Sequence, residues 1–397
     1  MTGLELTPEQ QALADRFATL AQSRFAPRAA HYDRTATFPI EDFDDLFAAG
    51  LNAPTVPRER GGLGLGPHLG DALTLWRITT ELAKADLSLA RCWEGHANSL
   101  AILDGMGTDE QRDRWFEGVV RRGDKWVAWS GEPQARAPGE RAPYGTTVTK
   151  VDGGYVVDGT KVFATSATAA QWAILLVSLD GPGGIRHATG SLESQRLLGC
   201  DLSDPSVTTD GSWWDPIGMR ATVSHLVRFR QTFIPDANAI GYPGQYIKEA
   251  WQTCFVPHYA ATFVGAAEAA YAIALAFATA RQAADPYVQH HIASMSINIE
   301  TAHLWLRHVA RLWETGRHEE AQFAGCRARH VIEHLAEDAL KHCIRACGAR
   351  SLNRPGDLER IYRDLSFYVR HDNDDHILAT IGRALLGQDH DRSFYVP

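Results

Sequence analysis

Residues 126 to 240 form a run of short, β-branched and aromatic segments set between two long regions of helical periodicity, and no other feature narrows the fold as much. VAWSG, TTVTKV, GYVVDGTKVFAT, WAILLVSL and HLVRFRQTFIP are strand-like and separated by turn signals such as DGG and DG. They predict an antiparallel sheet of roughly six to eight strands. Before them, QQALADRFATLAQSRF, IEDFDDLFAAG and LGDALTLWRITTELAKADLSLARCW carry apolar residues at helical spacing, broken at Gly50 and at PRERGGLGLGP. After Pro243-Gly244 the helical period returns, with Met295, Ile299, Ala302, Leu306, Val309 and Leu312 along one stripe. No repeat or low-complexity linker interrupts this order. The expectation is one α+β unit: an N-terminal α-helical domain over 1–125, a central β-domain over 126–240 and a C-terminal helical bundle over 241–397.

Composition narrows the partners. The net charge of -9, with no block of like charge, lacks the basic face that nucleic-acid binders carry, so no nucleic acid is expected. The six cysteines have no disulfide-framework spacing and no secretory leader is read before them, which points to reduced thiols and a cytoplasmic location. LTPEQQ reads as a helix start, with Thr7 as cap, Pro8 in the first turn and Gln10 completing a capping box. AATFVGAAEAAYAIALAFATA is long enough to span a membrane, but it is alanine-rich and holds Glu268; it reads as a buried bundle helix, with no membrane partner.

Four short motifs invite chemistry and have stronger structural readings. HVIEH (330–334) matches a zinc-protease pattern without a third ligand in context. IETAH (299–303) is half of a di-iron pair whose second half is missing. GLGLG (62–66) follows a charged turn rather than a strand, so it fails as a dinucleotide loop. Cys343 and Cys347 lie one helical turn apart with His342 nearby, too few ligands for a thiolate site. No metal is expected.

A larger pattern accounts for the sheet between two helical regions. In order, the chain carries WSGEP (129–133), GGYVVDGTKVFATSATAAQWAILLV (153–177), DPIGMRATVSHLVRFRQTFIP (215–235), ACGARS (346–351) and LERIYRDLSFYVRHDNDDHILATIG (358–382). Together these resemble the acyl-CoA dehydrogenase superfamily of flavoproteins over nearly the whole chain. The resemblance implies a C-terminal four-helix bundle, FAD lying on the central β-domain, and a homodimer or homotetramer that completes the flavin site. It assigns Ser130 and Gly131 to the pyrimidine edge of the flavin, Phe163 to its ring system and Thr165 to N5, with Trp129 and Ser166, their neighbours, also assigned to the cofactor. Arg281 matches an arginine that meets the pyrophosphate, often across a subunit interface. Arg345 and Gly348 fall in a further cofactor element, whose usual second glycine is Ala349 here. Asp374 is assigned to the cofactor as well.

Counting from Arg363-Asp364, the family's catalytic glutamate falls on Asp372, beside His371. Asp372 can act as a base if burial raises its pKa, and Asp372, Asn373 or Asp374 can cap the helix that follows. The resemblance thus implies an FAD-dependent oxidoreductase that desaturates an acyl substrate, thioester or carrier-bound, by proton abstraction and hydride transfer to N5. Electrons would pass to a flavoprotein or to O2. Two departures stand against a plain acyl-CoA substrate: the family's Asp-x-x-Arg is Thr253-Cys254-Phe255-Val256, and its Glu-Gly is Asp372-Asn373. They lean toward a sister branch, two-component flavin monooxygenases using reduced flavin and O2, for which His96 and His371 are the candidate histidines. A flavin-fold binding module without catalysis is the third reading.

Overall fold

The computed structural model describes residues 5–133, 146–179, 194–371 and 374–391. The N-terminal helices are α1 (Pro8–Leu20), α2 (Ala26–Thr35), α3 (Ile40–Ala48), α4 (Ala72–Ala85), α5 (Leu87–Met106) and α6 (Asp109–Arg122). At the start of α1 the Thr7 hydroxyl accepts the Gln10 amide, and the Gln10 side chain accepts the Thr7 amide, so two orphan donors are satisfied together. The periodicity that runs unbroken through LTLWRITTELAKADLSLARCW is in fact split. Asp86 takes an extended conformation and accepts the Ser88 amide at 2.8 Å, ending α4 and capping α5.

The central strands are β1 (Trp126–Trp129), β2 (Thr147–Val151), β3 (Gly154–Ala164), β4 (Trp172–Leu179), β5 (Gln195–Asp201), β6 (Val207–Asp210), β7 (His225–Pro235) and β8 (Ala239–Ile240). They form one sheet in the order β6-β7-β3-β2-β4-β5-β8, with β1 also on β4. The sheet is mixed, which corrects the antiparallel expectation. β1 runs parallel to Trp172–Leu175 of β4, and β2 runs parallel to Ser178 and Leu179 of the same strand. The two therefore lie end to end along one edge of β4, and the chain leaves the sheet between them at Ser130 and Gly131. The sign of this was in WAILLVSL, an apolar run without alternation, as expected of a strand covered on both faces. Trp126 stacks on Trp172 at 5.3 Å and meets Trp115 of α6 edge-on at 5.0 Å, fixing β1 against the N-terminal helices.

The C-terminal region comprises α7 (Gln245–Lys248), α8 (Trp251–Phe277), α9 (Ala280–Ala283), α10 (Pro286–Glu314), α11 (His318–Cys347), α12 (Asp357–Tyr368) and α13 (Asp374–Leu385). Among the described residues α8 is the one helix long and apolar enough to cross a membrane. It is the core helix of the bundle: Ala260, Ala261, Phe263 and Val264 are buried in a cluster shared with α4, α5, α10 and α11. Its Glu268 is held by His303, whose Nε2 lies 2.6 Å from the carboxylate, and by Lys84, so IETAH serves packing here. All six cysteines are free thiols, and Cys343 donates to the Ala270 carbonyl.

Candidate functional site

The gap between β1 and β2 opens into a cleft of about 550 Å³ walled by three parts of the chain that are far apart in sequence. The first wall is the end of β1 with the end of β3. The Trp129 indole donates to the Thr165 carbonyl at 3.1 Å and ties the two strand ends together. The Gly131 carbonyl accepts the Val162 amide at 3.1 Å, and a Cβ on Gly131 would run into the Val162 carbonyl oxygen. Only glycine permits that approach. Glu132 then turns inward to the fully buried Lys161 ammonium, which also donates to the Leu176 carbonyl at 2.8 Å.

The second wall is the turn from Met219 to Ser224. Its hydroxyls form a chain with a fixed direction. Thr222 donates to the Met219 carbonyl at 2.9 Å, so at 2.7 Å it accepts from Ser224. The Ser224 proton is then spent, and the 3.0 Å contact to Thr165 requires Thr165 to be the donor. What Thr165 offers the cleft is a lone pair. Phe163, Ser166, Met219 and Val223 all have positive φ, between 41° and 62°, which is strained for residues with a side chain. The Phe163 ring is 56% exposed to the cleft and meets Trp213 edge-on at 4.9 Å. From α12, Arg363 donates to the Ile217 carbonyl at 2.9 Å while pairing with Asp33, and Asp364 accepts the Met219 amide, so the turn is held from behind.

The third wall comes from α12, the turn after it, and α5. Phe367, Tyr368, Arg370 and His371 line it, and the His371 ring sits edge-on to Tyr259 and Tyr368 at 5.4 and 5.6 Å. Arg91 of α5 lies over the Tyr368 ring and pairs with the buried Glu94 at 2.5 Å. Burial alone would lower the guanidinium, but Glu94 outweighs it, so Arg91 stays charged above its ordinary pKa. Glu94 accepts from Asn98, whose side-chain oxygen meets His258 Nδ1 at 2.7 Å. Burial and then the Arg91 charge lower His258 to about 3, so it is neutral.

Of the residues singled out in the sequence, Trp129, Ser130, Gly131, Phe163, Thr165 and His371 lie together on this cleft. Ser166 is just behind it, its amide donating to the Thr222 carbonyl. Asp372 lies outside the described residues. His96 does not reach the cleft. Its Nδ1 accepts the Trp126 amide at 2.9 Å, which leaves Nε2 to donate to the Asn52 carbonyl at 2.8 Å. Burial lowers it to about 4, so the ring is a neutral bridge between α5, β1 and the loop at Asn52. Arg281, Arg345 and Gly348 are exposed on α9 and at the end of α11, away from the cleft of a single chain. Asp374 pairs with Arg329 at 2.7 Å and with His330 at 2.6 Å, drawing α13 onto α11 rather than facing the cleft. Arg91, Tyr368, Thr222 and Ser224 were missed. Arg91 had a signal, a lone cation in an apolar helix with Glu94 one turn away.

An exposed aromatic face beside a glycine cradle and a hydroxyl chain suits a flat heterocycle with a polar edge, so the residues present fit the ring system of a flavin. Two family models match the chain: the acyl-CoA dehydrogenase N-terminal domain over residues 7–123 and its C-terminal domain over 258–373. The chain belongs to the acyl-CoA dehydrogenase family. Members of this family include flavin-dependent oxidoreductases acting on CH–CH groups. Its relatives include the mitochondrial isovaleryl-CoA dehydrogenase of Solanum tuberosum, 25% identical over 92% of this chain and 88% of that one. They also include the dibenzothiophene monooxygenase of Mycolicibacterium goodii, 24% identical over 90% of this chain and 89% of that one. Among solved structures, the dibenzothiophene monooxygenase TdsC of Paenibacillus sp. A11-2, in complex with FMN and indole, superposes with a TM-score of 0.84. That match covers 97% of this chain and all of TdsC at 23% identity, which shows the shared fold. The family thus holds both dehydrogenases and monooxygenases on one architecture.

Proposed function

We propose that this chain is a flavin-dependent monooxygenase that takes up reduced flavin and uses O2 on a compact, largely apolar substrate. The observation that carries this reading is the direction of the hydroxyl chain, which presents Thr165 to the cleft as an acceptor. A reduced flavin carries N5–H, a donor; oxidised flavin offers an acceptor at the same atom. The cleft lining supports the same reading through its cationic and ionisable groups, Arg91, Arg370 and His371. Phe163 would face the ring, and the Ser130–Gly131 turn its pyrimidine edge. When bound, reduced flavin supplies the two electrons that O2 needs. Arg91, kept charged by Glu94, supplies a positive field in a largely apolar cleft. His371, at the rim, is placed to move a proton between the cleft and solvent. Phe163, Trp214, Met219 and Phe367 exclude water from the reacting centre. A separate reductase, or free reduced flavin, is the implied electron source. Arg281, Arg345 and Gly348 would hold the phosphate tail if a second copy brings them to this cleft, as the family resemblance suggests.

The second reading is desaturation of an acyl group with Asp372 as base, favoured by the position of the preceding His371 on the cleft rim. An acyl-CoA is the weaker choice of substrate, because Thr253, Phe255 and Val256 are buried in the first two turns of α8 where the family resemblance places a charged pair. Anaerobic titration of the protein with oxidised and reduced FMN and FAD separates the readings. The monooxygenase predicts binding at least roughly tenfold tighter for the reduced form, with the preference lost in Thr165→Val. Tight oxidised FAD, bleached by an acyl thioester in the wild type but not in Asp372→Asn, would instead establish the dehydrogenase.

A further inference from the structure

The bundle carries a second cluster of functional side chains that the cleft chemistry does not use. His290 and His291 stand in the second turn of α10, and His342 in the last two turns of α11. Each offers one ring nitrogen, and the three nitrogens lie within 4.8 Å of one another. His291 Nδ1 and His342 Nδ1 face each other at 2.8 Å. On its other side, His342 Nε2 is 3.3 Å from the Asp338 carboxylate, which itself accepts from Asn298 of α10 at 3.0 Å. The three rings meet one another with centroids 5.1–5.8 Å apart at the edge of the bundle, where His290 is exposed and the other two are half-buried.

We propose that His290, His291 and His342 form a binding site for a divalent transition-metal ion of the zinc type. Metal–imidazole bonds of about 2.0–2.1 Å in tetrahedral geometry place neighbouring nitrogens roughly 3.3 Å apart, and the His291–His342 pair needs to open only slightly to reach that. The Asp338 carboxylate beside His342 Nε2 favours the tautomer with Nε2–H and leaves Nδ1 as the lone pair, the arrangement of a carboxylate–histidine–metal triad. Three imidazoles and an open fourth position select zinc, nickel or copper over magnesium or calcium, which prefer oxygen. The ion would strap the start of α10 to the end of α11. Arg345 lies three residues beyond His342, so an anionic fourth ligand is favoured. The other candidate group, His330, His334 and Asp374, is the weaker site, since the Asp374 carboxylate is already neutralised by the buried Arg329.

The test uses the full-length untagged chain, purified without metal resin, stripped with EDTA and dialysed against Zn2+. Plasma mass spectrometry should find one zinc per chain, and the melting temperature should rise with Zn2+ and return with EDTA. Co2+ should give the visible absorption of a tetrahedral nitrogen site. The stoichiometric ion should be lost in His291→Asn and in His342→Asn and kept in His334→Asn, while Asp338→Asn should weaken affinity roughly tenfold. His290→Asn, at an exposed position that cannot disturb the core, should weaken it as well. Zinc retained in the His291→Asn/His342→Asn double variant, zinc lost in His334→Asn, or no zinc and no thermal shift in the wild type would each overturn the site.

Discussion

The Asp364 carboxylate of α12 accepts the Met219 amide at 2.6 Å, and through this bond the C-terminal region sets the turn that walls the cleft. Burial, only partly offset by Arg360, raises Asp364 to about 7. A folded pKa raised from the ordinary 3.8 means that the contribution to stability is complete below about pH 4 and is lost as the pH climbs toward 7. Asp364→Asn keeps an acceptor for Met219 but cannot ionise. Relative to wild type, its melting temperature should gain between pH 4 and 7 and be equal or higher at pH 7. A variant that is less stable at pH 7 yet matches wild type at pH 5 would mean that the carboxylate is ionised and paired.

His96→Ala should cost stability and spare catalysis. The change strips the partners of the Asn52 carbonyl and the Trp126 amide and opens a cavity, a loss on the order of 2–4 kcal/mol in chemical denaturation. Turnover per folded molecule should be unchanged. Because the folded pKa is depressed from 6.5 to about 4, the stability that His96 contributes is present above pH 6.5 and lost as the pH falls through 4. The acid limb of the wild-type stability profile should therefore flatten in His96→Gln, and a turnover defect at full folding would return His96 to the active site.

How legible the chain was depends on distance along it. Helix, sheet, helix could be read because periodicity is local, and Thr7 and Gln10 cap α1 as their spacing predicts. WSGEP and KVFAT marked the first wall of the cleft because each lies at the end of a strand, and those two ends are tied together between Trp129 and Thr165. The remaining walls could not be read this way. Ser224, Thr222 and Arg91 join Thr165 on the cleft only through tertiary packing, and apart from the Arg91–Glu94 spacing nothing near them in sequence marks them. His96 misled for a geometric reason: it stands five residues after Arg91 on α5, which is about 140° around the helix. If Arg91 faces the cleft, His96 cannot. The parallel pairing of β1 and β2 on β4 was hidden for a related cause, since Trp126 and Trp172 are distant in the chain.

Gly131→Ala should weaken flavin binding while leaving the helical regions folded. The added Cβ runs into the Val162 carbonyl, so the Ser130–Gly131 turn must move out of the place where it closes the cleft. Fluorescence titration with reduced FMN should show affinity down at least roughly tenfold, with far-ultraviolet circular dichroism close to wild type. Unchanged affinity would detach this turn from the cofactor.

Arg91→Met should destabilise by roughly 3 kcal/mol or less, because it removes the partner of the buried Glu94, whose carboxyl is already pushed up by burial and can take a proton instead. Adding Glu94→Gln should restore most of that loss but not activity, if the guanidinium acts on the cleft as proposed. Restored turnover in the double variant would reduce Arg91 to a packing role. The readouts are urea denaturation for the first statement and turnover at saturating substrate for the second.

Phe163, Ser166, Met219 and Val223 hold left-handed backbone that a glycine would adopt without strain. Such conformations persist only where the surroundings enforce them, here the bonds from Asp364, Arg363 and Thr222. A wall enforced in this way is already cut to shape before anything enters. Association with a flat ligand should then follow a single exponential whose rate rises linearly with ligand concentration, with no slow isomerisation behind it.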